Sequence, residues 1–378
     1  MITRHRVPLF LVAVVGASAV ILVSVLRLLA PAALQTFGEL PPGLVGTLAG
    51  PVAEIAIGFV GALGVLAVVV MAQASDAAAR DSAVRYAPGG RATGTRAVLR
   101  AAAVVTALFV AVTTPGGMIP VAGYAFALAV LGGTVVIVVL LLLRRPWAGL
   151  AVGAVLAALV ASAVLRLDGG ALIPRILAAF APVVPSALVA LAHLGAAAAL
   201  IVWVILDARR DRGGVAIWVR RHRVAITVAA ALCAVPYVLA RASWLTPWPL
   251  LGGSAEMFAA QPMVQLTGLM LGAGMLAGGV LTIGLVRPWG ERFPRWLAGL
   301  GGREVPVLLA VVPAVLVAVL FTVGGVEFIV AVATRTAAVA GALEMALMLP
   351  FWLWGPLLAV ATWGYAMRRD SGLVSVPA

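Results

Sequence analysis

Hydrophobic residues run through this chain in long blocks that are separated by short polar loops. A helix needs roughly 20 mostly apolar residues to cross a bilayer. The pattern therefore predicts an all-α fold, a polytopic transmembrane helix bundle of about ten spans that forms one integral membrane domain over residues 1–378. The predicted spans are 8–30, 51–73, 98–114, 121–143, 148–167, 186–206, 224–241, 263–286, 305–323 and 341–367.

The first apolar block also resembles a secretory signal peptide. It follows the basic segment MITRHR, and Ala17, Ser18 and Ala19 resemble a cleavage site. The block continues to Leu29, however, which is too long for the apolar region of an ordinary signal peptide. We therefore interpret it as a retained first helix.

Composition supports the bilayer as the solvent of this protein. The chain is 64% hydrophobic and 10% charged, whereas soluble domains have about 25% charged residues. The net charge is +13, and in a soluble protein a basic balance would suggest nucleic acid. Here the arginines lie in short loops between apolar blocks. We therefore expect the lipid bilayer to be the partner, and we expect no binding to nucleic acid. Cys233 is the single cysteine, which excludes a disulfide within one chain.

The arginines also predict the orientation of the chain. If the amino terminus is cytoplasmic, the predicted inner loops hold every arginine except Arg27, Arg166, Arg175, Arg241 and Arg335. This asymmetry follows the positive-inside rule. We therefore expect a multi-pass protein with both termini in the cytoplasm.

Two short echoes suggest an internal repeat. The sequence SVLRL at 24–28 recurs as AVLRL at 163–167, and RPW at 145–147 recurs at 287–289. They predict a parallel four-helix repeat, in which spans 1–4 (unit 1–147) correspond to spans 5–8 (unit 148–304), and spans 9 and 10 form a partial unit, 305–378. Transporters often contain such repeats. The alternative is that apolar sequences align with one another by chance.

Three Glu or His residues fall inside predicted spans and form a candidate polar site: Glu54, His193 and Glu344. An ionisable group in a span is costly, which makes each a functional candidate. Glu54 shares a helical face with Gly58 and Gly61, and such glycine faces pack against other helices. We therefore expect Glu54 to point into the bundle, and His193 as well. The alternative for all three is a structural or interfacial role, because each lies near the outer end of its helix.

Other charged residues near the outer ends have simpler interpretations. Arg27 and Arg166 are expected to extend toward the lipid headgroups, although Arg27 could instead pair with Glu54. Glu327 and Arg335 are assigned to the outer loop before the last span, where water would solvate them.

Prolines predict irregular helices in the second half of the chain. Pro236, Pro313, Pro350 and Pro356 lie inside the predicted spans. Each proline frees a backbone carbonyl that protein or a water-filled cavity must satisfy. The last span is expected to be either a broken helix that lines a site or a kinked packing helix.

The longest arginine-rich punctuated loop is VRPWGERFPRWLAGLGGREVP, at 286–306. It is expected to form an ordered cap on the cytoplasmic face, and a partner-docking surface is the functional alternative. The candidate docking residues are Arg287, Trp289, Glu291, Arg292, Arg295, Trp296 and Arg303. This loop resembles one in multi-pass membrane proteins of high-GC actinobacteria that carry no assigned function. The resemblance implies a bacterial plasma membrane and brings no catalytic, cofactor or metal residues.

Three classes of function remain open. The sequence has no HExxH, no GxSxG and no phosphate-binding glycine loop, so catalysis would need an unfamiliar site and no cofactor is expected. A transporter or permease for a small solute is favoured by the number of spans, the candidate repeat and the sparse inward polar groups; it could be linked to protons through Glu54, His193 or Glu344. The alternatives are a non-catalytic membrane protein that assembles with partners, and an intramembrane enzyme that acts on lipid-linked substrates.

Overall fold

The described part of the chain is built almost entirely of helices. The computed structural model describes residues 3–32, 40–85, 91–116, 135, 138–139, 141–143, 145–166, 184–293, 295, 301–334 and 339–371. Within these ranges the only extended pairing is an isolated antiparallel bridge between Arg292 and Glu304. The predicted all-α class is confirmed.

The α-helices are numbered here in chain order. They are α1 (Thr3–Leu29), α2 (Leu44–Ala49), α3 (Pro51–Arg85), α4 (Arg91–Val112), α5 (Pro146–Arg166), α6 (Val184–Ala208), α7 (Gly214–Leu232), α8 (Val235–Ala242), α9 (Ala255–Ala260), α10 (Pro262–Gly284), α11 (Val307–Ala333), α12 (Val339–Met348) and α13 (Phe351–Ser371). Short 3-10 turns at Ser243–Leu245 and Pro288–Gly290 complete the regular structure.

Eight helical segments of the described residues are long and apolar enough to cross a membrane, as expected of a multi-pass membrane protein. They are Val7–Leu29, Pro51–Ala78, Gly94–Val112, Val184–Ala208, Gly214–Leu245, Val264–Gly284, Val307–Ala333 and Glu344–Asp370. Of the two remaining predicted spans, 148–167 falls on α5, and 121–143 lies mostly outside the described residues. The count of ten spans and the four-helix repeat therefore stay predictions.

Proline breaks two of these segments and leaves two others continuous. Pro236 lies at the start of α8, just after the break that ends α7 at Leu232, and Pro350 separates α12 from α13. Pro313 and Pro356 lie inside α11 and α13 without ending either helix. The last span is therefore a broken helix. The break by itself does not show that this helix lines a functional site.

One predicted boundary is wrong by about half a helix. The ninth span was predicted to end at residue 323, but α11 continues to Ala333. The added sequence, GGVEFIVAVA, is apolar apart from Glu327. A single carboxylate does not stop a helix whose backbone hydrogen bonds would otherwise be unsatisfied in the membrane.

The helices pack into two groups that share α6. The first group contains α1, α3, α4 and α6, with a core of mostly small residues such as Ala13, Val65 and Val110. The second contains α6, α7, α8, α11 and α13, and its core includes larger side chains such as Trp354. Leu200 of α6 belongs to the first core and Val202 to the second. Helix α6 is therefore enclosed on opposite faces.

Close helix approach depends on small residues, as membrane packing favours. In the first group Gly16 lies against Ala192 and Ala196 of α6. In the second, Gly325 lies against the backbone of α13 at Trp352, beside the stacked rings of Phe321 and Phe351, whose centroids are 4.1 Å apart. These contacts hold neighbouring helices at distances that a larger side chain would not allow.

Candidate functional site

A buried ion pair joins the end of α1 to the start of α3. Nη1 of Arg27 lies 2.7 Å from Oε1 of Glu54, and the Glu54 side chain is 2% exposed. The predicted inward orientation of Glu54 is confirmed, and the expectation that Arg27 extends to the headgroups is wrong. The two residues are 27 positions apart and meet because α1 and α3 pack as antiparallel neighbours. We call this region of the bundle the Glu54 end.

The short helix α2 covers this ion pair. The backbone N–H of Gly43, at the start of α2, donates to Oε2 of Glu54 at 3.1 Å. A Cβ on Gly46 would overlap that same oxygen, so only glycine lets α2 approach the carboxylate. Gly50 then turns the chain into α3 with φ at +86°, a conformation that glycine adopts without strain.

The segment that follows α4 contacts the segment that leads into α2. The backbone N–H of Gly116 donates to the carbonyl oxygen of Pro41 at 3.1 Å. A Cβ on Gly43 would overlap the carbonyl oxygen of Thr114. The hydroxyl of Thr114 is itself buried without a hydrogen-bond partner. Both oxygens of Glu54 are therefore held by groups that neighbouring helices fix in place.

His193 lies in the interior near the same end. Its side chain is 5% exposed, and its Nδ1 donates to the carbonyl oxygen of Val189 at 2.8 Å. The predicted inward orientation is confirmed.

Glu327 also lies within the bundle, contrary to its assignment to a solvated loop. It is in α11, inside the segment long enough to span a membrane, and its side chain is only partly exposed. Its Oε1 is buried and accepts no hydrogen bond. The unbroken apolar sequence on both sides of Glu327 was the signal that could have placed it here. Arg335, assigned to the same loop, lies outside the described residues.

Glu344, the third predicted site residue, does not join Glu54 in the interior. It lies in α12 and is exposed. Two grooves on the described surface are apolar and contain none of the three predicted residues. One, of about 400 Å³, lies between α1 and α6 and is lined by residues such as Val15 and Leu191. Of the three predicted site residues, Glu54 and His193 are therefore buried. The structure adds Arg27 and Glu327 to the ionisable residues within the bundle.

The opposite end of the bundle carries a network of arginines and carboxylates. Asp207, at the end of α6 and 3% exposed, pairs with Arg96 at 3.3 Å and with Arg100 at 2.7 Å. Arg96 also reaches Asp76 at 2.9 Å, and Arg100 reaches Asp211 at 2.5 Å. The network therefore ties the ends of α3, α4 and α6 together.

The same network continues to the last helix. Asp370 of α13 pairs with Arg209 and Arg210, each at 2.9 Å, and the indole of Trp363 donates to the carbonyl oxygen of Ala208 at 3.2 Å. Helix α6 is therefore fastened to α4 on one side and to α13 on the other. We call this region the arginine-rich end.

The described parts of the predicted docking loop, 286–293, 295 and 301–306, form a cap at the arginine-rich end. Phe293 and Arg303 pair through their backbones at 2.9 Å, beside the bridge between Arg292 and Glu304. The cap is fixed to α13: Tyr365 donates to the carbonyl oxygen of Gly290 at 2.9 Å, and Arg368 pairs with Glu291 at 2.6 Å.

The remaining candidate docking residues have different surroundings. The ring of Trp289 lies over Gly284, where a Cβ would overlap it, and Arg295 is exposed. Arg287 precedes the 3-10 turn that begins at Pro288. Trp296 lies outside the described residues. The described parts of the loop thus form a cap, and its docking role stays a prediction.

Comparisons with protein-family models, curated proteins and solved structures find no match. Within the described ranges there is also no group of three or more His, Cys, Asp or Glu residues that could hold a metal ion. The function of this multi-pass membrane protein is therefore inferred from the geometry of the Glu54 end and the arginine-rich end.

Proposed function

We propose that this multi-pass membrane protein is a transporter for a small solute, linked to proton movement, with its polar site at the Glu54 end. The observation that carries the proposal is the buried Arg27–Glu54 pair beneath α2. Ionisable groups inside spans are expensive and characteristically mark substrate or ion pathways.

The pair is costly to keep if its role is only structural. Two charges taken out of water lose several kcal/mol of hydration each, and well-packed apolar residues are often at least as stabilising. Irregular backbone at membrane depth is tolerated where protein buries it or where it lines a cavity. The broken segment α2–Gly50–α3, placed directly on the carboxylate, fits a site that opens by moving α2.

The arginine-rich end supports the same proposal. Alternating access requires one side of the bundle to be closed while the other exposes the site. The pairs of Asp76, Asp207 and Asp370 with arginines join α3, α4, α6 and α13 across that end. In the proposed cycle these pairs would keep the arginine-rich end closed while solute enters from the Glu54 end.

A non-catalytic assembly role is the second candidate, and the apolar grooves favour it. The groove between α1 and α6 is lined only by apolar residues and glycines, so lipid or another helix would fit it better than a polar solute. An enzyme acting on lipid-linked substrates has weaker support, because Glu291 and Glu304 already pair with arginines at the end where phosphate groups would bind.

Reconstitution tests these alternatives. Purified protein would be placed in vesicles that contain a pH-sensitive dye, and solutes would be added by class: sugars, amino acids, organic acids and alkali cations. We expect one class to drive proton movement in the wild type, and expect that movement to be lost in Glu54→Gln. Glu344→Gln is the matched control, because Glu344 is an exposed carboxylate; it should behave as the wild type. If no class moves protons and the protein copurifies with a stoichiometric membrane partner, assembly replaces transport.

We also propose that the arginine-rich end faces the cytoplasm of a bacterial cell, with the protein in the plasma membrane. The positive-inside rule supports this orientation, because most loop arginines gather at that end. Reporter fusions after Ala378 and after Gly252 test it. The first should be active in the cytoplasm and the second outside it; the reverse pattern would invert the topology.

A further inference from the structure

We infer that Glu327 is a reversible proton-binding site inside the bundle at the Glu54 end. Neither the sequence pattern nor the ion pair suggested this residue. The inference depends on where α11 places Glu327 and on what surrounds it.

Helix packing places Glu327 at the level of the ion pair. Leu320 of α11 packs against Ala190 and Leu194 of α6, and Val323 lies in the core of the first helix group. Glu327 follows Leu320 by two helical turns and Val323 by one, so it continues this stripe toward the Glu54 end. Helix α11 also contacts α2, which is the element that covers Glu54.

No ion pair to Glu327 is formed by the cations of the described residues. Its Oε1 is buried without a hydrogen-bond donor. Arg27 is already bound to Glu54, and Arg241 lies over the rings of Tyr237 and Trp244. The titratable groups on the packed elements are His193 on α6 and Glu344 on α12, while α2 has none and the adjoining parts of α4 and α13 have none.

Proton binding removes the free-energy penalty of an unpaired carboxylate at position 327. An ionised carboxylate without a partner is strongly penalised in an apolar environment. A proton that arrives from water forms an O–H bond on Glu327 and leaves a neutral acid, and release to water restores the carboxylate. Glu54 differs, because Arg27 donates to one of its oxygens and the Gly43 N–H donates to the other. Of the two carboxylates, Glu327 is therefore the one without a described donor to Oε1, and it is the group that gains and loses a proton.

The link between this proton and solute movement rests on the proposed transport function, whereas proton binding itself does not. If α2 moves to open the site, it also changes the surroundings of Glu327, because α2 contacts α11. Loading and release of the proton would then follow the movement of α2.

Infrared difference spectroscopy between acidic and alkaline pH tests the inference on the whole protein in lipid. The wild type should show the carbonyl band of a protonated carboxyl group in an apolar environment. This band should be lost in Glu327→Gln and recovered in Glu327→Asp, and it should persist in Glu344→Gln and Glu54→Gln. Recovery in Glu327→Asp also shows that position 327 accepts substitution in a folded protein.

Two results would overturn the inference: a wild type without such a band, or a band that persists in Glu327→Gln. The vesicle assay separates this question from transport. Absence of any solute-driven proton movement, combined with a band that depends on Glu327, rejects the transporter and retains the proton site.

Discussion

The Arg27–Glu54 pair makes a quantitative prediction about stability. Arg27→Gln leaves the Glu54 carboxylate, 2% exposed, with the Gly43 N–H as its described donor. Removing one partner of a buried pair typically costs about 3–5 kcal/mol. We expect about 3 kcal/mol, the lower limit, because the Arg27 side chain is 21% exposed and because Gly43 still donates to Glu54.

The double-mutant cycle isolates the interaction from other effects of each substitution. Glu54→Gln should cost less, about 1–2 kcal/mol, because Arg27 can turn toward water and the amide oxygen can still accept from Gly43. In the double variant neither charge is left unpaired. The cost should therefore fall short of the sum of the single costs by about 1–3 kcal/mol.

Reversible unfolding in mixed micelles, followed by circular dichroism, measures these free energies. The matched control is Arg210→Gln, whose side chain is 65% exposed and pairs with Asp370; a surface pair of this kind contributes about 0–1 kcal/mol. The reasoning is refuted if Arg27→Gln costs no more than this control, or if the two single effects add within about 0.5 kcal/mol.

Three further predictions concern packing and the arginine-rich end, and the same unfolding assay measures them. Gly46→Ala should destabilise the protein by about 1–3 kcal/mol because its Cβ would overlap Glu54. The control, Gly94→Ala, has open space around it in α4 and should be neutral or stabilising. Equal effects of the two substitutions would contradict the role assigned to α2. Asp207→Asn should cost about 2–4 kcal/mol because it weakens two arginine pairs. Asp211→Asn, at a 40% exposed site, should cost under about 1 kcal/mol. The reverse order would exclude Asp207 as the centre of the network. Tyr365→Phe should cost about 1 kcal/mol by removing the hydroxyl that Gly290 accepts from, and should speed proteolysis of the cap; an unchanged cleavage rate would show that this bond does not hold it.

Local sequence patterns predicted that the chain is helical and which side of a helix faces its neighbours. The inward orientation of Glu54 followed from Gly58 and Gly61 on its helical face, because small residues indicate helix contact wherever the partner lies. The position of Glu327 was missed because the span was ended by length alone, although the apolar sequence continued beyond the usual 20 residues.

Partner choice could not be predicted in the same way. Arg27 had two open interpretations, and only the packing of α1 on α3 decides between the headgroups and Glu54. Likewise, Gly43 lies in a loop whose sequence does not indicate a donor to Glu54. Such contacts join residues distant in sequence, and hydrophobic periodicity carries no information about them.

The attachment of the cap to α13 sets an order for biogenesis. Arg369 donates to the carbonyl oxygens of Glu291 and Val305 at 3.1 and 2.9 Å, and Tyr365 donates to Gly290. Synthesis proceeds from the amino terminus, so the cap is synthesised more than 50 residues before Tyr365 and Arg369. Insertion of the last helix is therefore the step that completes the cap, and a nascent chain truncated before Tyr365 should keep the cap sensitive to protease.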